Sequence, residues 1–97
     1  MVGHISYHPW NGAIAANGVT GALDIMGFPH VTVMGNASAA TTISVQGSED
    51  GTTFFQLDSV VLSAAGDFGL NLAVGVRYLQ LESSAAATIN AYVSAEG

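Results

Sequence analysis

The chain has 97 residues and a formal charge of −6, set by seven carboxylates against one cation, Arg77; there is no lysine and no cysteine. Charged residues make up 8% of it, against roughly 25% in an ordinary soluble domain. This excludes a nucleic-acid binder, which needs clustered Lys or Arg, and docking on anionic lipid. It also excludes disulfides and thiolate metal sites. Free monomers keep apart by surface charge and block strand edges with lysine. A chain that does neither is expected to sit in a permanent assembly.

The segment Met1-Val2-Gly3-His4-Ile5 lacks the basic start and apolar core of a secretory signal, so an unexported, soluble protein made in the cytoplasm is expected. No apolar run reaches the roughly 20 residues that span a bilayer. The first twenty residues carry Tyr7, His8, Pro9 and the sole Trp10, then a Gly/Ala/Asn stretch without clear period. Pro9 resists both helix and central strand. Residues 1–20 are therefore read as an extended arm and 21–97 as the folded domain. Exposed aromatics anchor partners, so Tyr7, His8 and Trp10 are the candidate interface. The competing reading folds Trp10 back to plug one end of the domain.

From about residue 30 the chain alternates with period two. Strands are expected near Ala22–Met26, then at His30–Met34, Thr41–Gln46, Thr53–Leu57, Ser59–Ser63, Asp67–Leu72, Tyr78–Glu82 and Ala87–Val93. The breaks at Gly35-Asn36, Asp50-Gly51, Gly66-Asp67 and Val74-Gly75 supply residues that tolerate positive φ. Asp50-Gly51 is the sharpest hairpin signal. About eight short, evenly spaced strands describe an all-β fold, an antiparallel jelly-roll-like sandwich.

Candidate chemistry is sparse. His4 and His8 are spaced to share a side, but a zinc site needs a third ligand and a second shell of hydrogen bonds. The Glu49-Asp50 loop lacks the alternating carboxylates of a calcium site. Asp67-Phe68-Gly69 matches a kinase triplet by letters in a chain without the lysine that chemistry requires. Asn36-Ala37-Ser38 fits the glycosylation pattern without an export route. No G-x-S-x-G elbow accompanies the serines. The chain is read as non-enzymatic, with no metal and no cofactor.

Residues 43–57, containing Gly47-Ser48-Glu49-Asp50-Gly51-Thr52-Thr53-Phe54, and Arg77-Tyr78-Leu79-Gln80-Leu81 resemble the turn and later strand of discoidin-like (coagulation factor 5/8 type) jelly rolls. Small bacteriophage virion proteins carry the same motif pair. The resemblance implies that Asp50-Gly51 closes a hairpin, that Phe54 or Phe55 packs inward, and that Arg77-Tyr78 opens a core strand. These are scaffold roles, and they support fold more than function. Arg77 is expected to pair with Asp50, Asp58 or Glu82 and, if that pair is buried, to be needed for folding. The implied function is a phage capsid decoration (cement) protein on the outside of the virion, forming dimers or trimers and bridging major capsid protein subunits. The alternatives are a glycan-binding module of a virion spike, using Tyr78, Tyr92 and Trp10, and a tail or baseplate component.

Overall fold

The computed structural model describes residues 3–97. Nine strands follow in order: β1 (His4–Ile14), β2 (Gly18–Val19), β3 (Leu23–Asp24), β4 (His30–Ala37), β5 (Thr41–Ser48), β6 (Phe55–Leu62), β7 (Gly66–Ala73), β8 (Tyr78–Ser83) and β9 (Ala87–Glu96). One sheet has the order β1-β9-β4-β7; the other has β2-β8-β5-β6, with β3 also on β8. All pairings are antiparallel. If β2 and β3 are taken as halves of one interrupted strand, β1 with β9, β2/β3 with β8, β4 with β7 and β5 with β6 form one long antiparallel hairpin. Rolling that hairpin creates the β4–β9 and β5–β8 seams, which is a jelly roll. The loop at Asp50 is the tip of the rolled hairpin.

The alternation in sequence becomes the two faces of each sheet. Val31, Val33, Ile43, Val45, Leu79, Leu81, Ile89, Ala91 and Val93 form the layer between the sheets, all 0–2% exposed. The end opposite the Asp50 loop is closed by a buried polar knot. Thr41 Oγ1 and Ser83 Oγ lie 2.8 Å apart, Ser83 Oγ donates to the Ala85 carbonyl at 2.7 Å, and the Ala85 N–H donates to Thr41 Oγ1 at 3.1 Å. Buried hydroxyls joined this way carry no desolvation penalty for missing partners.

Three expectations are corrected. Residues 4–14 are not an arm: they are the edge strand β1, paired with β9 on either side of a slip between Tyr7 and Trp10. Met1 and Val2, the start of the expected arm, lie outside the described residues. The segments around Thr53–Leu57 and Ser59–Ser63 are a single strand, β6, whose register slips opposite Val45 and Gln46. Gly35-Asn36 is not a break but lies inside β4. Gly35 is there because a Cβ at this position would stand 2.1 Å from the Asn90 carbonyl oxygen and 2.9 Å from Ala91 Cα, so the residue is required by close backbone approach.

Candidate functional site

The Asp50 tip is stabilised by its own hydrogen bonds. Ser48 Oγ accepts from the N–H groups of Asp50 (3.2 Å) and Gly51 (2.9 Å) and donates to Asp50 Oδ1 (2.9 Å). Asp50 Oδ1 accepts the N–H groups of Thr52 and Thr53, both at 2.9 Å. These donors, Thr53 first, then Thr52 and the Ser48 hydroxyl, hold the Asp50 carboxyl far below the ordinary carboxylate range. Gly51 has φ +81°, a conformation that costs glycine least. A Cβ there would rest 3.5 Å from the Tyr78 ring.

Two further connections meet this tip. Ser48 stands opposite Tyr78 in the β5–β8 ladder, so the two motifs far apart in sequence are neighbours in space. The Arg77 N–H donates to Glu49 Oε2 at 3.3 Å, and the Ile25 N–H donates to the Arg77 carbonyl at 2.9 Å. The Arg77 guanidinium forks onto Asp24, with Nε to Oδ1 at 2.8 Å and Nη2 to Oδ2 at 3.0 Å. Its partner is therefore Asp24 rather than Asp50, Asp58 or Glu82. Asp24 is next to Arg77 because it faces Tyr78 in the β3–β8 ladder. The hydrogen bonds from Arg77 hold the Asp24 carboxyl below its usual range. The pair is open to water, with side chains 52% and 39% exposed, so the cost expected for breaking a buried pair does not apply.

Beside the tip lies an open concavity of about 390 Å³. Gly47 forms its floor, Phe55, Leu57 and Val76 its apolar wall, and Glu49 and Asp50 its acidic rim. Gly47 allows this: a Cβ would lie 2.7 Å from Leu57 Cδ1 and 3.2 Å from both Val76 methyls. Phe55 is 69% exposed and Leu57 38% exposed. The Arg77 guanidinium is engaged by Asp24, so Glu49 and Asp50 together give the rim its negative sign. An apolar wall under an acidic rim suits contact with a partner surface. No histidine lines the concavity.

The expected interface residues are not brought together. Trp10 is 4% exposed and belongs to the core, where β1 itself places it opposite Ala91; it is neither an arm contact nor a plug at one end. Tyr7 is half-buried and its hydroxyl donates to the Asp24 carbonyl at 2.6 Å, tying β1 across the sandwich to β3. His8 alone is exposed, on the outer face of the first sheet. Its ring stacks on Tyr92 with centroids 4.1 Å apart and planes at 10°, and it hydrogen-bonds Asn90 Oδ1. Trp10, Tyr78 and Tyr92 thus sit in the core, beneath the Asp50 tip and on an outer face, and do not converge as a sugar platform. Phe54 is half-buried and outside the core, while Phe55 faces solvent. Among the described residues no three His, Asp or Glu side chains gather to hold a metal.

No protein-family model and no curated protein matches the sequence. Solved structures do share the fold. The PBSX exported protein XepA superposes with TM-score 0.76 at 15% identity, over 94% of this chain, which spans only 36% of XepA. The SPBc2 prophage-derived protein YomS superposes with TM-score 0.71 at 11% identity, over 100% of this chain and 96% of YomS. The Tobacco streak virus coat protein superposes with TM-score 0.58 at 8% identity, covering 99% and 84%. At these identities the likeness concerns the fold.

Proposed function

We propose that the chain is a non-enzymatic structural protein of a bacteriophage particle, a decoration protein that sits on the capsid exterior and bridges major capsid protein subunits. It acts as a homo-oligomer without cofactor, nucleic acid or membrane. The observation that carries this reading is the apolar surface at the Asp50 end and along β6. Phe55, Val61 and Met26 are 69%, 72% and 60% exposed, in a chain with one cation. Large side chains left in water on a surface without lysine favour permanent burial against a partner. The phage setting draws support from YomS, whose fold the chain shares and whose name refers to a prophage.

The shell contact is assigned to the concavity wall, with Phe55 and Leu57 as anchors. Many copies bridging neighbouring subunits would stabilise the shell without tight binding at any one contact. The test is co-sedimentation of the purified chain with emptied phage heads. The double variant Phe55→Ser/Leu57→Ser is expected to lose occupancy while keeping the wild-type circular dichroism spectrum. Unchanged occupancy of the folded double variant contradicts the assignment.

A further inference from the structure

The sheets leave their edges to β1, β7, β6 and the interrupted β2/β3, and three of these carry features that obstruct pairing. The β1 ladder slips between Tyr7 and Trp10, around Pro9. The β6 ladder slips opposite Val45 and Gln46 and sets Asp58 opposite the fully buried Val45, a charge turned toward the inner face. β2 and β3 have two residues each. Bulges, proline, inward charges and short strands are the usual protections of an edge. β7 has none of them. It pairs with β4 without interruption from Gly66 opposite Ala37 to Ala73 opposite His30, and among the described residues no backbone hydrogen bond to a turn or loop covers its other side.

We propose that β7 is the self-association edge of this protein. It pairs antiparallel with β7 of a second copy about a two-fold axis at Gly69, joining two four-stranded sheets into one. This rests on the assembly reading above and names the surface that makes the oligomer. The register follows from the side chains. About Gly69, Asp67 stands opposite Asn71 of the partner subunit, and Phe68 opposite the partner's Leu70. Asn71 Oδ1 already accepts from Thr32 Oγ1 at 3.0 Å, which leaves the amide N–H groups to donate to the partner's Asp67 carboxylate. The two-fold axis makes this contact twice and keeps the two Asp67 apart. A register about Leu70 sets Asp67 opposite Ala73, which offers no donor. On the outer face Gly69 and Ala73 are small and exposed, so the copies meet without steric conflict.

The absence of cysteine makes the test direct. A Cβ at Gly69 would meet only the Val33 carbonyl at 3.9 Å, and one at Gly66 nothing within 4 Å, so both positions accept cysteine. Opposed residues in an antiparallel ladder have Cα atoms about 4.5–5.5 Å apart, within disulfide reach. Under mild oxidation Gly69→Cys is expected to give at least roughly tenfold more covalent dimer than Gly66→Cys, whose partner copy lies at the far end of the ladder. By light scattering, the wild-type chain is expected to contain this dimer and Gly69→Lys to lose it, because two lysines then face each other at the axis. A monomeric wild type overturns the proposal, as does equal cross-linking of the two cysteine variants. A monomer that still occupies emptied heads overturns the β7 pairing alone. A β7 dimer that ignores heads leaves the pairing standing and overturns the shell reading.

Discussion

Replacing Trp10 by alanine separates a strand embedded in the sandwich from an arm that reaches to a partner. Trp10 is 4% exposed and stands opposite Ala91, itself fully buried, in the β1–β9 ladder. A buried tryptophan removes roughly 150–250 Å² from water, which at about 25 cal/mol per Å² is worth roughly 4–6 kcal/mol as an upper bound. Truncation to alanine keeps part of that area and leaves a cavity, so the expected loss is about 3–5 kcal/mol. A domain of this size has about 5–15 kcal/mol in total. Trp10→Ala should therefore unfold at least about 12 °C lower. The assay is urea and thermal unfolding followed by far-ultraviolet circular dichroism, since the variant lacks the only tryptophan. Truncation of residues 1–12 should abolish cooperative unfolding, because it strips β9 of its outer ladder and uncovers Ala91 and Val93. A Trp10→Ala variant within about 1 kcal/mol of wild type, below the range for a buried aromatic, or a cooperatively folded truncation, refutes the placement of β1.

Gly35→Ala should cost about 3 kcal/mol or more, at the upper end of overpacking, because the added methyl meets the β9 backbone rather than a movable side chain; a shift in the urea midpoint with unchanged slope would show it. The Asp50 carboxyl titrates lower in the folded protein than in the unfolded chain, so its contribution is complete above the unfolded value of about 3.9 and is lost as pH falls below it. Asp50→Asn should therefore flatten the loss of stability below about pH 4, read as urea midpoints across the acid range; an unchanged acid slope contradicts the role of the loop N–H groups.

The strands β4, β5, β7, β8 and β9 were legible because each buries one face, so the period of two is written in residues such as Ile43 and Val45 or Leu79 and Leu81; β6, largely exposed and slipped in register, read as two. The Asp50-Gly51 tip was legible for the same local reason: a turn that needs positive φ shows its glycine. β1 was hidden by its own irregularity. Ile5 and Tyr7 point inward, the slip around His8 and Pro9 shifts the phase, and Trp10, Gly12 and Ile14 continue the inward set. Two alternations out of phase read as none. The Arg77 partner was missed because Asp24 is brought to it by the β3–β8 ladder, across 53 residues, and no local pattern encodes that distance. The concavity was missed because its walls come from Phe55, Leu57 and Val76, and only the β5–β6 slip and the bare Gly47 turn them to one place. Phe54 and Phe55 were equivalent on sequence grounds, and Phe55 is the one left in solvent.

The shell reading meets its most direct test in the occupancy of emptied phage heads by the wild-type chain and by Phe55→Ser/Leu57→Ser, quantified by sedimentation at rising protein concentration. The account predicts saturation at a fixed number of copies per head for the wild type and near-background association for the folded double variant. Wild-type protein that stays in the supernatant at every concentration, or a double variant that saturates like wild type, contradicts it.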